Sequence, residues 1–137
     1  MVYRPLISLL CFLMVMLVFS DPASAQKRAP RQVDSVEYGT ASFYAKKFEG
    51  RPTASGELYD AAKMTAAHNH LPFGTRIRVT NTRNKRSVIV KVNDRLHYKN
   101  TRLVDLSYAA ASKLGFIGRG LTRVKVEILE KKEDKQK

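Results

Sequence analysis

Cysteine is almost missing from this chain. The one thiol, Cys11, sits in an apolar run near the amino terminus. Beyond it there is nothing from which to build a disulfide or a thiolate-ligated metal site, so the fold must rest on packing and hydrogen bonds. Leu10 precedes Cys11 where a lipidated cysteine needs a small residue, which argues against a lipid anchor there. Long apolar runs are also lacking. Leu6 to Phe19 is the longest largely apolar stretch, and it is shorter than the ~20 residues a spanning helix needs. Acidic residues are scarce as well: 12 against 25 lysines and arginines give a net charge of +13. For a chain this basic, an anionic partner is expected. The cations are scattered through strands and loops, and no helix-turn-helix or RNA-recognition pattern accompanies them, so nucleic acid is not the expected partner.

The amino-terminal run has Arg4 before it and Ala23-Ser24-Ala25 after it, a small-x-small cleavage pattern. Residues 1–25 therefore read as a secretory signal peptide. The mature protein is expected to be exported, periplasmic or extracellular, with no stable membrane anchor after cleavage. Arg4 and Asp21 cancel, so the surplus charge survives processing. Residues 26–38, polar and basic around Pro30, read as a linker, and residues 130–137 as a disordered charged tail. With 137 residues, 44% of them hydrophobic, the remainder from 39 to 129 makes one small domain.

Within that domain the most informative stretch runs from Arg86 to Arg95. Val88, Val90 and Val92 alternate as one face of a β-strand, and Asp94 keeps their parity. If the strand stays regular, the carboxylate points to the valine side. It is then either structurally paired, with Arg95 or another base, or placed at the mouth of a cleft where burial raises its pKa. Thr75 to Asn81 alternates too and should pair with the Ser87–Val92 strand as a hairpin. Gly39 to Ala45 is a candidate first strand, and Leu121 to Leu129 the last. One helix is clear: Ser107 as N-cap, Tyr108 to Leu114 as body, Gly115 at its end. Leu106, Ala110 and Leu114 give it an apolar face, and Asp105 is expected to pair with helix N–H groups or a nearby base. Several short strands and one helix close most naturally into a small, mainly β barrel.

Two further stretches carry candidate chemistry. Lys46 to Asp60 reads as a long irregular loop in which Gly56 permits a turn that would aim Glu57 at whatever the loop covers; taken alone, Glu57 reads first as a solvated surface acid. His68 and His70 share a face if the backbone is extended. With Asp94 or His97 they invite a metal reading, but no spacing is diagnostic, and a ring hydrogen-bonded to a carboxylate is the expected role. No metal or other cofactor is expected.

The motifs Gly39-Thr-Ala-Ser-Phe-Tyr44, Gly50-Arg-Pro-Thr-Ala-Ser-Gly-Glu57, Tyr59-Asp60, Thr65-Ala-Ala-His68, Val90-Lys-Val-Asn-Asp-Arg95 and Asp105-Leu-Ser-Tyr-Ala-Ala-Ala111 together resemble the rare lipoprotein A family, septal-ring lytic transglycosylases related in fold to expansins. The resemblance implies a six-stranded double-psi β-barrel with one short packed helix. It implies an endolytic lytic transglycosylase that cuts the β-1,4 bond between N-acetylmuramic acid and N-acetylglucosamine and leaves 1,6-anhydro ends, with peptide-stripped strands as a candidate preference. Carried over residue by residue, the catalytic trio is Asp94, His68 and Glu57. Tyr44, Tyr59, Asn93 and Arg95 are the expected substrate-binding residues. Peptidoglycan strands are the expected partner, with cell-division or wall-remodelling proteins as further candidates. Phe43, Ala45, Glu49 and the Leu96-His97-Tyr98 loop depart from the family pattern, the last beside the acid. A non-catalytic, expansin-like glycan-binding module and a barrel acting through protein contacts remain as alternatives.

Overall fold

The computed structural model describes residues 35–130. The expected signal peptide, linker residues 26–34 and tail residues 131–137 lie outside this range. Six strands close into a barrel: β1 (Ser35–Phe43), β2 (Thr65–Ala67), β3 (Arg76–Asn81), β4 (Ser87–Asp94), β5 (Val104–Leu106) and β6 (Thr122–Glu130), in the order β1-β5-β2-β4-β3-β6. Two pairings are parallel, β1 with β5 and β2 with β4; the others are antiparallel. Closure gives each strand a partner on both sides over at least part of its length.

The alternation read from the sequence fixes which side chains enter the barrel. Ile77 and Val79 of β3, Val90 and Val92 of β4, and Val124, Val126 and Ile128 of β6 are all buried. Each contributes roughly 1.5–3 kcal/mol on leaving water. The helix α1 (Tyr108–Leu114) packs Ala110, Ala111 and Leu114 against them. The Ser107 side chain accepts from the Ala110 N–H, and Gly115 ends the helix in the left-handed region, as the sequence indicates. Below the helix, Asn81 is a buried hub. Its Nδ2 donates to the Leu114 carbonyl at 2.9 Å and its Oδ1 accepts from the Thr122 hydroxyl at 3.0 Å.

Three expectations change. The first strand starts at Ser35, not Gly39, so 35–38 of the expected linker belong to the barrel and pair with β6. Gly39 lies mid-strand because Leu103 crosses it closely; a Cβ there would sit 2.6 Å from the Leu103 Cβ. Leu106 is in β5, not on the helix face; Asp105 beside it pairs with a nearby base, Arg102, one of its two expected kinds of partner. The parity of β4 breaks near its end. Ala66 pairs with Val92 and Ala67 with Asp94, leaving Asn93 as an extra residue in a β-bulge. Asn93 becomes buried and Asp94 is turned to a half-buried position. A bulge re-aims the side chain that follows it.

Candidate active site

The bulge delivers Asp94 to a cleft of about 610 Å³ that Tyr44, Phe48, Arg51, Arg95, His97 and Asp105 also line. Both carboxylate oxygens of Asp94 are held. Oδ2 accepts from the Tyr44 hydroxyl at 2.5 Å. Oδ1 accepts from the Ala54 N–H and from the Arg95 N–H, each at 2.8 Å. Burial and the hydrogen bond to Asp94 push the Tyr44 phenol well above its usual range, so Tyr44 keeps its proton and is the donor. Asp105, the other carboxylate lining the cleft, is taken by the Arg102 guanidinium through two bonds of 2.7 and 2.9 Å. Among the described residues, Asp94 is thus the cleft acid whose carboxylate has no cationic side chain bound to it.

The loop from 46 to 60 is more ordered than its composition implies. Lys46–Phe48 forms a turn of 3-10 helix, and Pro52 bridges Leu58 in a miniature hairpin. The hairpin is closed by Thr53 N–H to Glu57 O at 2.8 Å and turned at Gly56, whose φ of +89° is the glycine conformation expected there. Glu57 fastens this hairpin to β4. Its carboxylate accepts from Lys91 Nζ at 2.9 and 3.0 Å and from Asn93 Nδ2 at 3.2 Å, and these contacts hold its pKa below the ordinary value. The Ser55 N–H also donates to the Asn93 carbonyl at 3.2 Å. Glu57 and Asn93 therefore meet each other outside the cleft lining, rather than flanking Asp94.

His68 is fully buried. Its Nδ1 accepts from the His70 N–H at 3.1 Å, so the ring proton is on Nε2, which lies 3.1 Å from Glu37 Oε2 and donates to it. Burial lowers the His68 pKa and Glu37 opposes that shift only in part, so the contact is a hydrogen bond of a neutral ring. The expected carboxylate partner is present, and it comes from β1, in the stretch expected to be linker. The backbone of His68 supports the acid: its N–H donates to the Asp94 carbonyl at 3.1 Å, and its carbonyl accepts from Arg95 Nη1 at 2.8 Å. Of the expected trio, only Asp94 lines the cleft, while His68 and Glu57 hold β4 from its two sides. Among the described residues no cluster of histidine, cysteine and acids is arranged to hold a metal ion.

The expected binding residues divide as well. Tyr44 is committed to Asp94, and its ring meets Tyr59 edge-on with centroids 4.4 Å apart. Tyr59 is buried, its hydroxyl accepting from the Tyr108 N–H at 3.2 Å, which leaves little of its ring free to stack. Arg95 lies over the Phe73 ring at 4.0 Å with Nη1 on the His68 carbonyl. Phe48, 38% exposed, stands in the cleft wall between Lys47 and Arg51, both within 5.5 Å of its ring centre. Phe48 and Arg51 carry no assigned role in the sequence motifs; a Lys-Phe…Arg cluster in a long irregular loop is the signal that marks them.

A family model described as lytic transglycolase matches residues 36–126. The probable endolytic peptidoglycan transglycosylase RlpA of Nostoc is 56% identical over 93 residues, covering 66% of this chain and 25% of that protein. The endolytic peptidoglycan transglycosylase RlpA of Vibrio cholerae is 48% identical over 93 residues, covering 68% of this chain and 35% of that protein. This chain therefore spans about a quarter to a third of the length of these relatives. Among solved structures, Streptomyces papain inhibitor superposes with a TM-score of 0.58 at 21% identity, over 74% of this chain and all of that one. A mutant Clavibacter michiganensis expansin in complex with cellohexaose gives 0.57 at 20% identity, over 70% of this chain and 51% of that one. At such identities these likenesses concern the fold, which is the double-psi barrel expected from the sequence.

Proposed function

The chain belongs to the lytic transglycolase family, and from that premise we propose that it cleaves the β-1,4 bond between N-acetylmuramic acid and N-acetylglucosamine within peptidoglycan strands, with Asp94 moving the proton. One observation carries this reading: among the described residues Asp94 is the cleft carboxylate that no cationic side chain occupies, held by the Tyr44 hydroxyl and the Ala54 and Arg95 N–H groups.

The chemistry asks little more of the protein. A protonated Asp94 gives its proton to the departing glycosidic oxygen as the bond to the muramoyl C1 breaks. The carboxylate so formed takes the proton of the muramoyl 6-hydroxyl as O6 closes onto C1. The product is a 1,6-anhydro end, no water is consumed, and Asp94 is protonated again. One carboxyl group serves both steps in turn, unlike the paired carboxylates of ordinary glycosidases. Tyr44 orients Asp94 throughout. His68 and Glu57 act as positioning residues that fix the two flanks of the bulge. Phe48 and Arg51 offer a ring and a cation to the glycan. Export to the cell envelope, through a signal peptide over 1–25, and a preference for peptide-stripped strands belong to the same proposal.

The test is digestion of purified peptidoglycan, intact and peptide-stripped, by wild type and Asp94→Asn, with products read by mass spectrometry. Anhydro ends from wild type alone support the transglycosylase. A second reading, a glycan-binding module that breaks no bond, draws on the absence of His68 and Glu57 from the cleft lining. It predicts that both proteins bind strands and neither makes new ends.

A further inference from the structure

The cleft does not hold the largest concentration of charge. Six cations, Arg83, Lys85, Arg86, Lys113, Arg119 and Arg123, are all exposed, and the fold gathers them around one hub. The turn between β3 and β4 supplies the first three. The Thr82 N–H and hydroxyl both donate to the Arg123 carbonyl at 3.0 Å, tying that turn to the start of β6. Asn84 Nδ2 donates to the Leu114 carbonyl at 2.9 Å, tying it to the end of α1, where Lys113 lies. The Arg86 guanidinium closes over Gly115. Arg119 sits in the tight turn that links this helix end to β6, its N–H donating to the Phe116 carbonyl at 3.1 Å.

None of the six has an acidic partner among the described residues. The negative end of a seven-residue helix accounts for Arg86 and Lys113 nearby, but not for Arg83, Lys85, Arg119 and Arg123. Keeping so many like charges together disfavours the compact state unless something neutralises them. Leu121, 50% exposed, is the large apolar side chain of the turn that leads into β6, and Tyr38, 66% exposed, faces Lys125 across the β1–β6 pair, diagonal to Arg123. Six cations without acidic partners, with an aliphatic side chain and a tyrosine at their margin, suit a planar array of anionic headgroups, at whose boundary both side chains sit.

We propose that this basic surface docks the protein on a bilayer of anionic phospholipid. Clusters of four to eight Lys and Arg recognise such leaflets, and an exposed leucine two residues before Arg123 fits the headgroup boundary. β4 gives the arrangement its use. It starts at Ser87, beside the basic turn, and ends at Asp94, a run of about 23 Å at roughly 3.3 Å per residue. A protein seated by the turn would hold its cleft clear of the lipid, towards whatever lies beyond. The inference does not depend on the reaction assigned to Asp94.

Flotation of the full chain with vesicles of equal parts phosphatidylglycerol and phosphatidylcholine tests it. Wild type should float with these vesicles, not with phosphatidylcholine alone, and should release as salt shortens the screening length. The triple variant Arg83→Gln, Lys85→Gln, Arg119→Gln should bind about a hundredfold more weakly, at about fivefold per cation lost. A control triple with the same net charge, Lys63→Gln, Arg76→Gln, Lys99→Gln, should stay within about threefold of wild type. Thermal unfolding of both triples identifies a folding defect, in which case Leu121→Ser alone, expected to weaken binding several-fold, decides. Equal losses in the two triples reduce the effect to net charge and overturn the proposal. Retention of soluble stripped glycan strands through the same three residues, without vesicle binding, overturns it in favour of a polymer.

Discussion

The Tyr44 hydroxyl stands 2.5 Å from Oδ2 of Asp94, bridging two residues that are fifty positions apart in the chain. It comes from the end of β1, and Asp94 from the end of β4, two strands that do not pair. Among the described residues Oδ2 has no other donor, whereas Oδ1 has two backbone N–H groups. The phenol is thus the side-chain member of a three-donor cradle whose other two members are backbone N–H groups.

Tyr44→Phe removes that donor and keeps the ring against Tyr59 and Phe48. A hydrogen bond to a charged group is worth about 1.5–3 kcal/mol, so kcat on peptidoglycan should fall by roughly ten- to a hundredfold with little change in KM. Release of soluble glycan by the two proteins at matched concentration measures it. An unaltered kcat would show that Asp94 is oriented without Tyr44.

His68 gives the fold a pH dependence whose sign is fixed. Burial lowers its pKa in the folded state from the ordinary 6.5, to which the unfolded chain reverts. Between those two values the unfolded chain takes up a proton that the folded one refuses, so stability is full above about 6.5 and declines as the pH falls through that window. Melting temperature measured from pH 7.5 to 5 should drop more steeply in wild type than in His68→Gln, which has nothing to titrate there. Parallel curves for the two proteins would remove His68 as the cause.

Glu57 separates a positioning role from a stabilising one. Its pair with Lys91 is about half exposed on both sides, 49% and 44%, and such pairs add at most about 1 kcal/mol. Glu57→Ala should then leave the melting temperature nearly unchanged. It should still free the 53–57 hairpin, and with it the Ala54 N–H that holds Asp94. Limited proteolysis ought to cut this hairpin faster, and kcat ought to fall. Full activity with a protected hairpin would return Glu57 to the status of a solvated acid.

These residues also show where the sequence was legible. β3, β4, β6 and α1 follow from strict alternation and from a Ser/Gly pair of caps, because each buries one face or carries its own end signals. β2 and β5 are three residues long and buried on both sides or nearly so, which leaves no period to detect. The bulge at Asn93 is set by β2, a partner more than twenty residues away, and parity along β4 alone pointed Asp94 deeper than it lies. The partner of His68 is Glu37, delivered by barrel closure from a stretch whose composition reads as linker. The family resemblance groups Asp94, His68 and Glu57; in the fold Asp94 lines the cleft, while His68 and Glu57 contact β4 beside it.

Arg95 and Arg51 make the last distinction, between a cation that builds the site and one that meets its ligand. A residue beside the acid with a guanidinium in the cleft wall is the natural candidate for the lactyl carboxylate of muramic acid. Yet Arg95 spends Nη1 on the His68 carbonyl and lays its plane on Phe73, so its loss should be felt by the fold. Arg95→Ala forfeits a hydrogen bond and a cation–π contact, together about 1.5–3 kcal/mol, and should lower the melting temperature by several degrees. Arg51 has no salt bridge among the described residues and rests on Phe48 at 5.5 Å, facing the same cleft. Arg51→Ala should raise KM for stripped strands several-fold at unchanged melting temperature, because a carboxylate then loses a charge-assisted partner. Running both variants through thermal unfolding and strand digestion puts each residue on one axis. If Arg95→Ala raises KM without loss of stability while Arg51→Ala does nothing, the two roles are reversed and the glycan carboxylate lies against Arg95.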